Sequence, residues 1–172
     1  MNNFKVKIHF KLRKFRKSDV DSLVKHANNY NVAKFLTNEF PYPYYKKDAE
    51  PFIAFVSKEN PTKVFAIEIN GEAAGSIGIV PQTEFDSKSG ELGYWLAEQY
   101  WNHGIVSSAI TKMVDYGFRT FDIDRIYATP FLENKASQRV LVKSGFKQES
   151  SSKVTIYKNN EPYDVFVFSK TR

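Results

Sequence analysis

The chain has 172 residues, enough for one domain with a substantial core and too few for two. It contains no Cys, which excludes disulfides, Cys-ligated zinc and a Cys nucleophile, and no apolar run approaches the roughly 18 residues of a membrane span. A net charge of +6 favours anionic partners such as nucleotide phosphates, RNA or ribosomal surfaces, or else is a plain basic surface. At the start, "MNNFKVKIHFKLRKFR" alternates basic and apolar residues and lacks the continuous apolar stretch of a signal peptide, so a reducing, cytoplasmic setting is expected. In "KVKIHFKLR", Val6, Ile8, Phe10 and Leu12 share one face, the period of a half-buried strand. Ser18 reads as the N-cap of a helix carrying Val20, Leu23, Val24 and Ala27. A short helix over 29–36 follows, broken by "FPYPYY", and then a helix over 47–58.

"KVFAIEINGEAAGSIGIV" reads as a hairpin turning on Asn70-Gly71. Its glycines fit turn and strand rather than a nucleotide loop, because no Lys-Ser/Thr follows. "GELGYWLA" is another strand, followed by a helix over 104–118, a strand "RIYATPF" and a helix over 134–144 that stops at Gly145. "KVTIYK", a turn at "NNEPY" and "DVFVFSK" read as a closing hairpin. The order β-α-α-α-β-β-β-α-β-α-β-β predicts an α/β fold with a largely antiparallel sheet and one parallel βαβ unit around the 104–118 helix.

That helix raises a chemical question. Helix starts favour Asp or Glu because their unpaired N–H groups make a positive pole, yet the first acid after Gly104 is Asp115. An N-terminus without its own anion has room for a diphosphate on the amides of His103, Gly104, Ile105, Val106, Ser107 and Ser108. The side chains of the helix, from Ile105 and Val106 to Phe118, form a core stripe, and His103 is equally well read as a solvated loop residue.

"ELGYWLAEQYWNHGIVSSAI … RIYATPFLENKASQRVLVKSGF" resembles the acetyl-CoA-binding core of the GCN5-related N-acetyltransferase (GNAT) family, and more narrowly its RimJ/RimL-like ribosomal-protein-alanine N-acetyltransferase branch. "FPYPYYKKDAEPFI" is similar to that branch's segment before its third helix, and the resemblance in element order runs from about residue 10 to 168. Where the family commonly has Gln/Arg-x-x-Gly-x-Gly/Ala, this chain has Trp101, Gly104 and Val106; where the branch often has Gly and an acid, it has Asn102 and Ser108. The resemblance implies one N-acetyltransferase domain over 1–172, a mixed, mostly antiparallel sheet flanked by helices, and acetyl-CoA as cosubstrate.

It also implies roles. A pantetheine arm would lie between the strands at 91–97 and 125–131, held by main-chain groups near Trp95, Leu96 and Ala97 in the manner of an added strand. Asn134 would cap the next helix and face the cofactor. Ser137, one turn on, would protonate the departing thiolate, or else both residues only cap the helix. A primary amine would attack the thioester directly, without a covalent enzyme intermediate. It must first be neutral, which is easier for an α-amine of pKa near 8 than for a lysine near 10.4. Glu91 is the candidate base acting through water, with Glu84 and Asp86 as rivals; each also reads as a solvated charge. Phe40, Tyr42, Tyr44 and Tyr45 would frame the acceptor, or pack as an apolar lid. No metal is expected, since His9, His26 and His103 show no ligand spacing.

The favoured acceptor is a protein N-terminal α-amine, such as a ribosomal protein's. The alternatives are a small amine (a polyamine or an antibiotic) and a non-catalytic acetyl-CoA-binding module. A specific nucleic-acid partner is not expected, because Lys and Arg are scattered and no RNA-recognition motif is present. Both a monomer and a homodimer fit the sequence.

Overall fold

The computed structural model describes residues 8–83, 88–149 and 154–172. Strand β1 (Lys11–Arg13) leads through a single 3₁₀ turn to α1 (Val20–Ala27), α2 (Tyr30–Ala33) and α3 (Lys46–Val56). Strands β2 (Val64–Ile69), β3 (Glu72–Pro81) and β4 (Ser89–Leu96) precede α4 (Ile105–Thr120), β5 (Arg125–Ala128) and α5 (Lys135–Lys143). The chain continues through β6 (Lys147–Gln148), β7 (Val154–Lys158), β8 (Glu161–Val165) and β9 (Phe168–Thr171).

Seven strands form one sheet in the order β1-β2-β3-β4-β5-β9-β6, and β7-β8 form a separate ribbon. Only the β4/β5 pair is parallel, and α4 makes that crossover, as the βαβ pattern predicts. Asn70 and Gly71 both take positive φ (51° and 84°), the backbone of a tight hairpin turn.

Strand alternation divides the interior into two cores. Ile67, Ile77, Leu92, Leu96 and Ile126 pack with Ile110 and Met113 of α4 and Leu141 of α5. On the other face Ala66 and Ala73 meet Leu23 of α1 and Ile53 and Val56 of α3, with Trp95 at the edge. Each fully buried Leu or Ile stabilises the fold by about 1.5–3 kcal/mol relative to exposure.

Three readings change. First, the cap of α1 is not Ser18, which is exposed. Asp19 holds the N-cap position without a side-chain bond to α1. Its carboxylate turns back instead, accepting from the Arg16 amide at 2.7 Å and from both terminal nitrogens of Arg13 at 2.7 and 2.8 Å. Second, α2 is shorter than the expected 29–36, and Val6 lies outside the described residues. Third, the closing hairpin is tighter and shorter than expected. Asn159 and Asn160 both accept positive φ (52° and 62°), so Glu161 already pairs with Lys158. The remainder, β9, returns to the main sheet between β5 and β6.

Arg13 also donates to Glu68, whose other oxygen takes Lys11 at 2.8 Å. Lys11, and then Arg13, hold the Glu68 carboxyl below the usual carboxylate range. The stabilisation from that depressed value is present above the ordinary glutamate range and is lost as pH falls below it. Arg13→Met leaves two carboxylates at a largely buried site, Glu68 with Lys11 and Asp19 with the Arg16 amide as remaining partners. It should cost about 2 kcal/mol at pH 7 in urea unfolding, below the 3–5 typical of a fully buried pair because Lys11 remains.

Candidate active site

The site begins where the parallel ladder ends. β4 and β5 pair at Ser89–Arg125, Gly90–Ile126 and Glu91–Tyr127, and then separate while β4 runs on to Leu96. The antiparallel pairing with β3 decides which main-chain groups face the gap. Ser89 O accepts from Gln82 N, and Ala97 N donates to Ala74 O, so odd-numbered residues of β4 turn toward β3. The N–H and C=O of Tyr94 and Leu96 therefore face the gap, while those of Trp95 and Ala97 do not. The Leu96 carbonyl accepts from the Trp101 indole N–H at 2.8 Å, which accounts for Trp101 at the first loop position.

At the open end of this gap stands the N-terminus of α4. Gly104 is its N-cap with φ 73°, exposed, and a Cβ built there would meet nothing within 4 Å. The first intrahelical bond runs from Ser108 N to Gly104 O at 3.2 Å. The amides of Ile105, Val106 and Ser107 precede that bond and remain available, whereas the Ser108 amide is already used. His103 is exposed beside them.

Two side-chain pairs flank the gap, one on each face of the sheet. On the α4/α5 face, Asn134 Oδ1 caps α5 by accepting from Ser137 N at 3.1 Å, and Ser137 Oγ meets the Tyr94 hydroxyl at 2.7 Å. Burial pushes the Tyr94 phenol up to about 12, and the Ser137 hydrogen bond opposes the rise. On the other face, Glu91 Oε1 accepts from Thr129 Oγ1 at 3.3 Å, just where the strands part. Glu91, Tyr94, Ser137 and Asn134 line one cavity of about 1280 Å³, which Gly104 to Ser107 also border.

A family model described as "Acetyltransferase (GNAT) domain" matches residues 9–147. The chain belongs to the GNAT acetyltransferase family. An uncharacterised N-acetyltransferase of Bacillus subtilis, YoaA, is 37% identical over 98 residues, a match spanning 57% of this chain and 55% of that relative. A solved GNAT-family acetyltransferase from Bacillus anthracis superposes with a TM-score of 0.79 at 26% identity over 96% of each chain. RimL, solved with coenzyme A and described as a ribosomal L7/L12 alpha-N-protein acetyltransferase, shares the fold at a TM-score of 0.78 and 22% identity over 94% of this chain and 93% of its own.

The structure divides the aromatic residues expected to frame an acceptor. Phe40 and Tyr44 border the cavity, with the Phe40 ring 5.1 Å from Tyr44 and 5.4 Å from Trp95. Tyr44 is buried, and burial, then Asp48, push its phenol up to about 12. Tyr42 and Tyr45 are half exposed outside the cavity: Tyr42 packs against Tyr30 at 5.7 Å, and Tyr45 lies beneath the Lys47 ammonium. Tyr42 and Tyr44 would share a side in a straight extended chain, but the loop bends at Tyr42 and Pro43, so Tyr44 goes in and Tyr42 goes out.

The β7–β8 ribbon closes the opposite wall through Ile156. Lys158 Nζ donates to the carbonyls of Ala33 and Lys34 at 2.8 and 3.1 Å, and the Asn159 amide donates to Asn38 Oδ1 at 3.1 Å. Glu84 and Asp86 lie outside the described residues. Among the described residues no group of three His, Asp or Glu side chains could hold a metal ion, and no helix is long and apolar enough to cross a membrane.

Proposed function

We propose that the protein is an acetyl-CoA-dependent N-acetyltransferase that acetylates a primary amine by direct attack, with a protein N-terminal α-amine as its acceptor. The observation that carries this reading is the gap between β4 and β5, with free helix amides at its mouth and a hydroxyl and a carboxylate on its two sides. The residues fit the ligand. Available amides of Ile105 to Ser107, a positive helix pole and the open space at Gly104 suit a diphosphate, and the gap-facing main chain of Tyr94 with the N–H of Leu96, whose carbonyl already takes the Trp101 indole, suits an extended amide-bearing arm.

When bound, acetyl-CoA supplies an acetyl thioester. Glu91 takes a proton from the ammonium through a water and passes it to solvent, leaving a neutral amine. The new N–C bond forms as the C–S bond breaks, the second N–H proton leaves by the same water and carboxylate, and Ser137 gives its proton to the departing sulfur and is reprotonated by solvent. An α-amine, with a pKa near 8, needs only this one carboxylate. RimL, which shares the fold, is described as acting on an α-amine, and this supports the same acceptor class here.

The test is thiol release from acetyl-CoA with peptides beginning in Ala, Ser or Met, alongside polyamines. Peptide turnover is expected. Faster turnover of polyamines would reassign the acceptor, and acetyl-CoA binding without thiol release from any amine would leave a binding module. Ser137→Ala should lower kcat about 20-fold, below the usual range for acid–base groups because water can enter the space left, with acetyl-CoA affinity near wild type. A loss of affinity alone would make Ser137 a binding residue.

A further inference from the structure

We infer that Tyr94 is a positioning residue whose phenol donates to Ser137 Oγ and so turns the Ser137 proton into the gap between β4 and β5. The inference rests on Ser137 being the proton donor, as proposed above, and concerns how that donor is held ready.

Either hydroxyl could donate in this bond by distance alone, and two observations favour the phenol as donor. Tyr94 has Ser137 Oγ as its hydrogen-bond partner, at 2.7 Å, and no second partner for its hydroxyl among the described residues. A buried O–H left without an acceptor is costly, so the phenol proton goes to Ser137 and Ser137 Oγ accepts. The second observation is what Ser137 does not do. Helical hydroxyls can bond back onto the carbonyls of the preceding turn. Ser107, Thr111 and Ser144 do so here, donating to the carbonyls of Gly104, Ser107 and Val140 at 3.0, 3.1 and 2.9 Å. Ser137 makes no such bond among the described residues. Its oxygen is drawn off the helix toward β4, and its own proton is left for whatever occupies the cavity it lines.

The raised phenol value fits this role, because Tyr94 keeps its proton throughout and forms no tyrosinate. The bond polarises the Ser137 O–H without taking part in the proton transfer.

Tyr94→Phe keeps the ring and removes only the donor. With the amine that turns over fastest in the screen above, kcat should fall about five- to ten-fold, as for the loss of one neutral hydrogen bond, while KM for acetyl-CoA stays within two-fold, roughly. In a Ser137→Ala background the same change should have no further effect. A normal kcat in Tyr94→Phe beside a slow Ser137→Ala, or additive losses in the double variant, would overturn this inference and leave the proposed function standing. A normal kcat in Ser137→Ala would instead remove Ser137 from the chemistry.

An infrared difference between wild type and Tyr94→Phe gives a readout independent of turnover. The Tyr94 C–O stretch should be that of a phenol that donates and does not accept, and this signature should vanish in Ser137→Ala. The signature of an accepting phenol would reverse the bond and overturn the inference.

Discussion

Glu91→Gln should reduce kcat about 100-fold at pH 6.5–7 with an N-terminal peptide as acceptor, and the deficit should shrink toward pH 9. An α-amine with a pKa near 8 is mostly protonated in the lower range and mostly neutral in the upper, so a base matters in the first and hardly in the second. General-base catalysis is commonly worth about 10²–10⁴-fold. Glutamine keeps the shape of the site, because its amide oxygen can still accept from Thr129, the partner of Glu91. A steady-state profile of kcat against pH decides the matter. A small deficit constant across pH would make Glu91 structural and direct attention to Glu84.

Gly104→Asp should weaken acetyl-CoA binding about 100-fold. A carboxylate at that position faces the proposed diphosphate at close range, where like charges cost about 1–4 kcal/mol depending on local screening. It would also accept from the same helix amides, as Asp does at any N-cap. No atom stands within 4 Å of the added Cβ, although the positive φ of 73° strains an Asp there. Gly104→Asn separates charge from bulk: Asn tolerates positive φ, caps equally well and carries no charge, so it should weaken binding only several-fold, roughly. Calorimetry reads both variants. Equal losses would mean that bulk, not charge, is what the site rejects, and an unchanged affinity in Gly104→Asp would move the diphosphate elsewhere.

The features legible in the sequence are those that local rules govern. Asn70-Gly71 announced its turn because few residue pairs accept two positive φ values in succession. The α4 start was visible because a glycine preceded a long amphipathic run with no acid in its first turns. "GELGYWLA" was legible as a strand, and β4 runs over Ser89–Leu96.

What stayed hidden depends on partners distant in the chain or on loop direction. Asp19 displaced Ser18 because Arg13, on a different element, grips it. Tyr94 meets Ser137 across 43 residues, and only the crossover geometry of α4 and β5 decides which residue of α5 reaches β4. The main-chain roles of Trp95 and Leu96 differ through hydrogen-bond parity, which needs the register with β3. Tyr42 was grouped with Tyr44 by composition, and a prolyl loop set them on opposite sides.

The place of β9 in the sheet has a consequence for biosynthesis. β5 forms one wall of the gap, and its outer neighbour is β9, some 40 residues later in the chain. While a ribosome is still making that intervening stretch, β5 has a bare outer edge, and at about 5–20 residues per second this lasts roughly 2–8 s. The gap can be framed only when the final strand has emerged and docked. A nascent chain halted before Phe168 therefore carries nearly all the residues of the site but lacks the support that holds β5 against β4.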